Sequence, residues 1–168
     1  MAGSVSGALL RRQFQDLNKN GIPGISAGLR KDNLYDWEVL MVGPEDTVYE
    51  GGLFRARMRF PSDYPNMPPV LKFISPMWHP NVFPDGVVCI SILHSPGEDE
   101  HGLEDAGERW LPVHTAETIL LSVMAMLSSP NLDSPANVDA TKQYRDDYQA
   151  YKKRVREIVR RSVEDLPE

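Results

Sequence analysis

The chain has a single cysteine, Cys89, and the residues ahead of it are those whose types and spacing suggest chemistry. Trp78-His79-Pro80-Asn81 is followed by Pro84-Asp85-Gly86 and then by Val88-Cys89-Ile90-Ser91-Ile92-Leu93. Cysteine suits a thioester, because a thiolate attacks well and later leaves well. A proline-braced turn could hold Asn81 rigidly near the sulfur, and a rigid amide N–H stabilises an oxyanion developing in acyl transfer. The plainer reading stands beside this one. A lone cysteine between Val88 and Ile90 is often an inert core residue, and an asparagine in a proline-rich turn is often only a turn residue. The four histidines between His79 and His114 invite a metal, but their spacing from Cys89 matches no zinc pattern and no second cysteine exists, so no metal is expected. A cysteine hydrolase using His94 or His79 as base is the stronger rival, since chain order does not exclude it. His79, between Trp78 and Pro80, reads as a structural imidazole.

The 168 residues suit one domain, spanning 1–168, with no repeat and no second unit. Eighteen basic residues against 24 acidic give a net charge of −6. That balance argues against a general binder of nucleic acid or of anionic membranes and points to protein partners. Residues 1–7 carry no basic segment ahead of an apolar run, so no secretory signal is read there. The strongly apolar stretch 119–127 is nine residues long, too short to span a bilayer. With one unpaired thiol, these features predict a reducing, cytoplasmic or nuclear setting.

Several elements must position Cys89. Leu10, Phe14 and Leu17 lie on one side of an amphipathic helix over about 5–19, closed by Asn20-Gly21. Strands are expected over 24–29, 36–42, about 54–60 and about 70–74. The third alternates Phe54, Ala56, Met58 and Phe60 with Arg55, Arg57 and Arg59. Strands following one another without intervening helices imply an antiparallel meander. Seven prolines between Pro61 and Pro84 predict a stiff, irregular track. An acidic, glycine-punctuated loop follows over about 95–109, with Glu98, Asp99, Glu100, Glu104, Asp105 and Glu108. Nine of the twelve residues 116–127 are apolar, nearly all round, predicting a central helix buried against the sheet. A short helix over 137–147, capped near Asn137 or Ser134, precedes a last amphipathic helix. The wet face of that helix carries Lys152, Lys153, Arg154, Arg156, Arg160 and Arg161 against Glu157.

Taken together, these motifs resemble the ubiquitin-conjugating enzyme family over nearly the whole chain. The carriers are His79-Pro80-Asn81 with Cys89 eight residues beyond Asn81, Tyr49-Glu50-Gly51-Gly52-Leu53-Phe54, Phe60-Pro61-Ser62-Asp63-Tyr64-Pro65 with Pro68-Pro69, Trp110 before Pro112, and Asp133-Ser134-Pro135-Ala136-Asn137. Trp110 lies 21 residues beyond Cys89, much farther than in ordinary members. The acidic insertion between them resembles that of the G-type enzymes. The resemblance implies an α+β fold with an N-terminal helix, a four-stranded antiparallel meander, a central helix and two C-terminal helices.

For chemistry, the resemblance implies that Cys89 accepts ubiquitin from an activating enzyme and passes it to lysine amines of protein substrates, building chains for proteasomal degradation. Asn81 would support the oxyanion or brace the loop that shapes the site, with His79 and Pro80 shaping the turn. Ser134, preceded by Asp133, stands where the family often has an acid. Glu98, Asp99 and Glu108 are then candidates to orient or deprotonate the lysine, and His94 to act as a hinge. No bound cofactor is implied; ATP and magnesium belong to the upstream activating enzyme. A RING-type ligase would touch Arg11, Arg12, the Pro65-Asn66-Met67 loop, Pro112 and Val113, and Ser26 would lie on a face that binds a second ubiquitin or a ligase segment. Neither nucleic acid nor direct membrane insertion is implied, although a partner could recruit the enzyme to the endoplasmic reticulum surface. The alternatives are a carrier for a ubiquitin-like modifier and a non-catalytic ubiquitin-binding module.

Overall fold

In the computed structural model, residues 5–97 and 106–165 are described. Helix α1 (Val5–Asn20) leads into strands β1 (Ile25–Arg30), β2 (Asn33–Val42), β3 (Leu53–Arg59) and β4 (Val70–Phe73). Helices α2 (Ala116–Ser128), α3 (Val138–Asp146) and α4 (Tyr148–Glu164) follow. The sheet order is β1-β2-β3-β4 and every pairing is antiparallel, the meander expected from strands with no helix between them.

Alternation fixes the register. Pairing Val39 with Ala56 and Ala56 with Phe73 places Trp37, Val39, Met41, Phe54, Ala56, Met58, Leu71 and Phe73 together on the buried face. Against them pack Leu10 and Leu17 of α1, Ile119, Leu120, Val123 and Leu127 of α2, and Tyr151 and Val155 of α4. Arg55, Arg57, Glu38 and Ser26 take the opposite face, where Arg57 pairs with Asp36.

Two expectations change in detail. Strand β2 begins at Asn33, earlier than the hydrophobic pattern suggests, because Arg30 pairs with Asn33 across a two-residue turn. Lys31 and Asp32 both take positive φ there, 53° and 58°, which a mirror-image hairpin turn requires. Lys-Asp is not the usual composition for such a turn, so nothing in the sequence marks it. Helix α2 is not buried all round either: Leu121 is 47% exposed, while Ile119, Leu120 and Val123 face the core. The cap of α3 falls to Asn137, whose Oδ1 accepts from the Ala140 N–H. Glu98 and Asp99 lie outside the described residues.

Candidate active site

Cys89 sits between the proline track and a 3₁₀ turn at Ser91–Leu93, partly buried at the wall of an open groove. Its backbone N–H donates to the Asn81 carbonyl at 2.9 Å, so the turn predicted from spacing does meet the segment that carries the cysteine. The groove brings Asn81, Cys89, His94, Glu108, Asp133 and Ser134 together, with Arg109 and Asn131 among its other lining residues.

His79 is fully buried and structural. Its Nδ1 accepts from the Asn81 N–H at 2.9 Å, which leaves Nε2 to donate to the Met126 carbonyl of α2 at 2.8 Å. Burial lowers its pKa to about 4, a shift the Met126 bond only partly opposes. With both nitrogens engaged and no exposure, His79 has no access to the thiol proton. The Pro80 carbonyl in turn accepts from the Ala136 and Asn137 N–H groups, joining the turn to the start of α3.

Both polar atoms of the Asn81 side chain are engaged by the loop beyond α2. Nδ2 donates to the Asn131 carbonyl at 2.8 Å and leans toward that of Ser134 at 3.5 Å, while Oδ1 accepts from the Asn131 N–H at 2.8 Å. These bonds brace the loop beyond α2 and set Asp133 and Ser134 along the groove. Asn131, the reciprocal partner, went unnoticed in the sequence. It lies 50 residues away in a loop whose composition signals only a turn.

Nε2 of His94 lies 3.4 Å from the Cys89 sulfur, so an imidazole does approach the thiol as the hydrolase rival requires. His94 also stands at the neck of the insertion: its carbonyl accepts from the Trp110 N–H, and Arg109 Nε donates to the Ser95 carbonyl at 2.8 Å. Among the described residues, no group of three or more His, Cys, Asp or Glu is placed to hold a metal.

The other expected residues lie apart from this groove. Arg11, Arg12, Asn66, Pro112 and Val113 are exposed, with Met67 half-buried. Gln13 of α1 joins their supports, accepting from the Tyr64 hydroxyl at 2.8 Å and from the Ala116 N–H at 3.0 Å. Ser26 lines a separate groove on the outer sheet face with Leu40, Arg55 and Arg57. Much of the basic charge on α4 is engaged within the chain: Arg160 pairs with Glu157 and Glu164, Arg161 with Asp165, and Arg154 stacks on Trp78.

A family model described as ubiquitin-conjugating enzyme matches residues 9–159. Ubiquitin-conjugating enzyme E2 15 of Schizosaccharomyces pombe is 59% identical over 165 residues, covering 98% of this chain and 99% of the relative. The probable ubiquitin-conjugating enzyme E2 7 of Caenorhabditis elegans is 57% identical over 161 residues, 95% of this chain and 98% of the relative. Ubiquitin-conjugating enzyme E2 G2 of Homo sapiens is 48% identical over 164 residues, 97% of this chain and 99% of the relative.

Proposed function

The chain belongs to the ubiquitin-conjugating enzyme family as a G-type member, a thioester-forming ubiquitin transferase, and from that premise we propose that Cys89 is the atom-bearing carrier and that its groove delivers ubiquitin to lysine. The observation that carries this reading is the thiol itself, the only one in the chain, set in a groove lined also by Asn81, Asp133, Ser134 and Glu108.

The Cys89 sulfur attacks the carbonyl carbon of the thioester on the activating enzyme; the new C–S bond forms as the old one breaks, and the donor thiol leaves. In the second step a lysine amine attacks the same carbonyl, the C–N bond forms, and the Cys89 thiolate departs. The amine must lose a proton, and Glu108 and Asp133, both lining the groove, are the described carboxylates suited to orient or accept it. Ser134 cannot do so as a carboxylate would. Glu98 and Asp99 of the insertion complete that role, and His94 at its neck acts as the hinge. His79 and Pro80 hold the turn.

Protein substrates reach the enzyme through a RING-type ligase on Arg11, Arg12, the Pro65-Asn66-Met67 loop, Pro112 and Val113. The Gln13 bonds to Tyr64 and Ala116 support this, because they link α1 to the segments that carry Pro65 and Val113. Ser26 marks a second surface for ubiquitin or a ligase segment. The products are polyubiquitin chains that direct degradation, made by a single domain without a bound cofactor, in the cytoplasm or nucleus or at the endoplasmic reticulum through a partner. Among the described residues no helix is long and apolar enough to cross a membrane.

The test is charging: ubiquitin, activating enzyme, ATP and magnesium, read on a non-reducing gel beside a thiol-treated lane. The expected adduct disappears with thiol in the wild type and becomes thiol-resistant or is lost in Cys89→Ser. A thiol-sensitive adduct persisting in Cys89→Ser would overturn the assignment. Because an imidazole lies close to the sulfur, the same preparation should be offered a ubiquitin thioester without activating enzyme or acceptor. Rapid hydrolysis there would favour the hydrolase.

A further inference from the structure

Cys89 shares its groove with one arginine, Arg109, and with no lysine. The sequence carries the pattern further. The chain has six lysines and twelve arginines, yet between Lys72 and Lys142 Arg109 is the only residue of either kind. Lys19 lies in the last turn of α1, Lys31 in the turn between β1 and β2, Lys142 on α3, and Lys152 and Lys153 on α4. Lys72 lies on the exposed face of β4, its Cγ 3.4 Å from where a side chain on Gly86 would begin. Ala125, Ser129, Asn131 and Ser134 line the groove and are exposed, so a longer side chain at any of them would reach solvent within it.

We propose that the groove is kept free of acceptor amines, with Arg109 as its specificity-determining cation, so that the Cys89 thioester is reserved for a lysine on another molecule. This deepens the carrier reading and rests on it. Arg109 Nε donates to the Ser95 carbonyl at 2.8 Å, a bond that an ammonium could also make, so the bond alone does not call for arginine. The two cations differ as nucleophiles. A lysine gives up its proton near pKa 10.4 and then attacks through a free lone pair, whereas a guanidinium stays protonated.

Glu108 and Asp133, offered above as the groups that orient or deprotonate an incoming lysine, line the same groove. A resident lysine would receive the same help. Its nitrogen would attack the thioester carbonyl, the C–N bond forming as the C–S bond breaks; the proton would pass to a carboxylate or water, and Cys89 would leave as the thiolate. Ubiquitin would then sit on the enzyme through an amide that no thiol reverses. A group tethered within reach has an effective concentration of about millimolar, about a thousandfold above an acceptor present at about micromolar concentration. One lysine in the wall would therefore divert the carrier from its substrates.

The test charges the enzyme with a ubiquitin whose lysines are all replaced by arginine, then chelates magnesium to halt the activating enzyme. Loss of the thioester and growth of thiol-resistant enzyme are followed on gels at two widely different enzyme concentrations, and the attachment site is mapped by mass spectrometry. In the wild type the thioester is expected to decay without a thiol-resistant product. Ala125→Lys places a good helix former at an exposed position of α2, so the fold is kept. It should consume the thioester at least about tenfold faster, at a rate independent of enzyme concentration, giving an amide-linked product at position 125. Ala125→Arg, equal in charge, should give none. Arg109→Lys should likewise give a product at position 109 and Arg109→Gln none, which separates the gain of a nucleophile from loss of the Ser95 bond. A wild-type adduct on Lys72 or Lys142 that forms independently of enzyme concentration would overturn the proposal, as would the lack of any adduct in both lysine variants. These outcomes leave the carrier reading standing, whereas a wild type that forms no thioester at all would sink that reading and this one with it.

Discussion

Both ends of the Asn81 side-chain amide are committed to the loop beyond α2, so in the proposed transfer it acts by placing Asp133 and Ser134. Replacing it with alanine leaves the Asn131 N–H and carbonyl without these partners and frees the loop. Asn81→Ala is expected to slow discharge of a preformed thioester to lysine by about 10²-fold through misplacement of the loop, while the thiol-sensitive adduct still forms on a gel. His79 carries a separate, pH-dependent consequence. Its folded-state pKa, lowered to about 4 by burial, lies below the ordinary 6.5, so between these values the unfolded chain takes up a proton that the folded chain refuses. The penalty is absent above pH 6.5, grows as pH falls, and approaches about 3 kcal/mol near pH 4. Urea unfolding of the wild type and His79→Gln across that window checks this: the variant should be less stable at pH 7 and show a flatter decline.

Elements owe their placement to a few unusual local conformations and caps. Lys31 and Asp32 occupy left-handed backbone between β1 and β2, a conformation that costs non-glycine residues about 1 kcal/mol or more. Lys31→Asn with Asp32→Gly supplies the residues such a turn prefers, and should raise the melting temperature by about 2–4 °C without altering charging. Asn137 works in the opposite direction. It caps α3 through the Ala140 N–H, a bond that alanine cannot make, so Asn137→Ala should lower stability by about 1–2 kcal/mol in denaturant titrations. The Tyr49 hydroxyl donates to the Trp78 carbonyl at 2.6 Å and meets the Tyr151 hydroxyl at the same distance, tying α4 to the residue just before His79. Burial raises the pKa of both phenols, so they stay protonated hydroxyls at neutral pH.

At the scale of the whole molecule, the described residues flanking the acidic insertion are tied to one another. Arg109 on Ser95 and Trp110 on His94 join the neck. Neutralising Glu98, Glu100 and Glu104 to Gln, and Asp99 and Asp105 to Asn, should therefore leave a single cooperative unfolding transition near the wild-type temperature. Loading by the activating enzyme should persist, whereas transfer to lysines of a second ubiquitin should fall about tenfold or more, more than transfer to free lysine. Equal losses with both acceptors would show that the insertion does not act on the protein acceptor.

The lone thiol, the turn ahead of it, the insertion and the order of helices and strands were legible in the sequence because each is local. A period of two or 3.6, a proline, a cap or a fixed spacing is complete within a short window. The hairpin at Lys31 and Asp32 escaped because tertiary pairing imposed a conformation those residues do not prefer. The role of Asn81 escaped for a different reason. An amide can bond a loop or face a reacting carbonyl, and its partner became visible only when α2, crossing the sheet, brought Asn131 beside it. Likewise Tyr49 meets Tyr151 across 102 residues, and Trp110 meets Pro65 across 45, neither pair sharing any local pattern. The sequence by itself determined which groups could react and in what fold. The packing of distant segments decided which hydrogen bonds those groups make, because a buried polar group must take the partner that the fold places within reach.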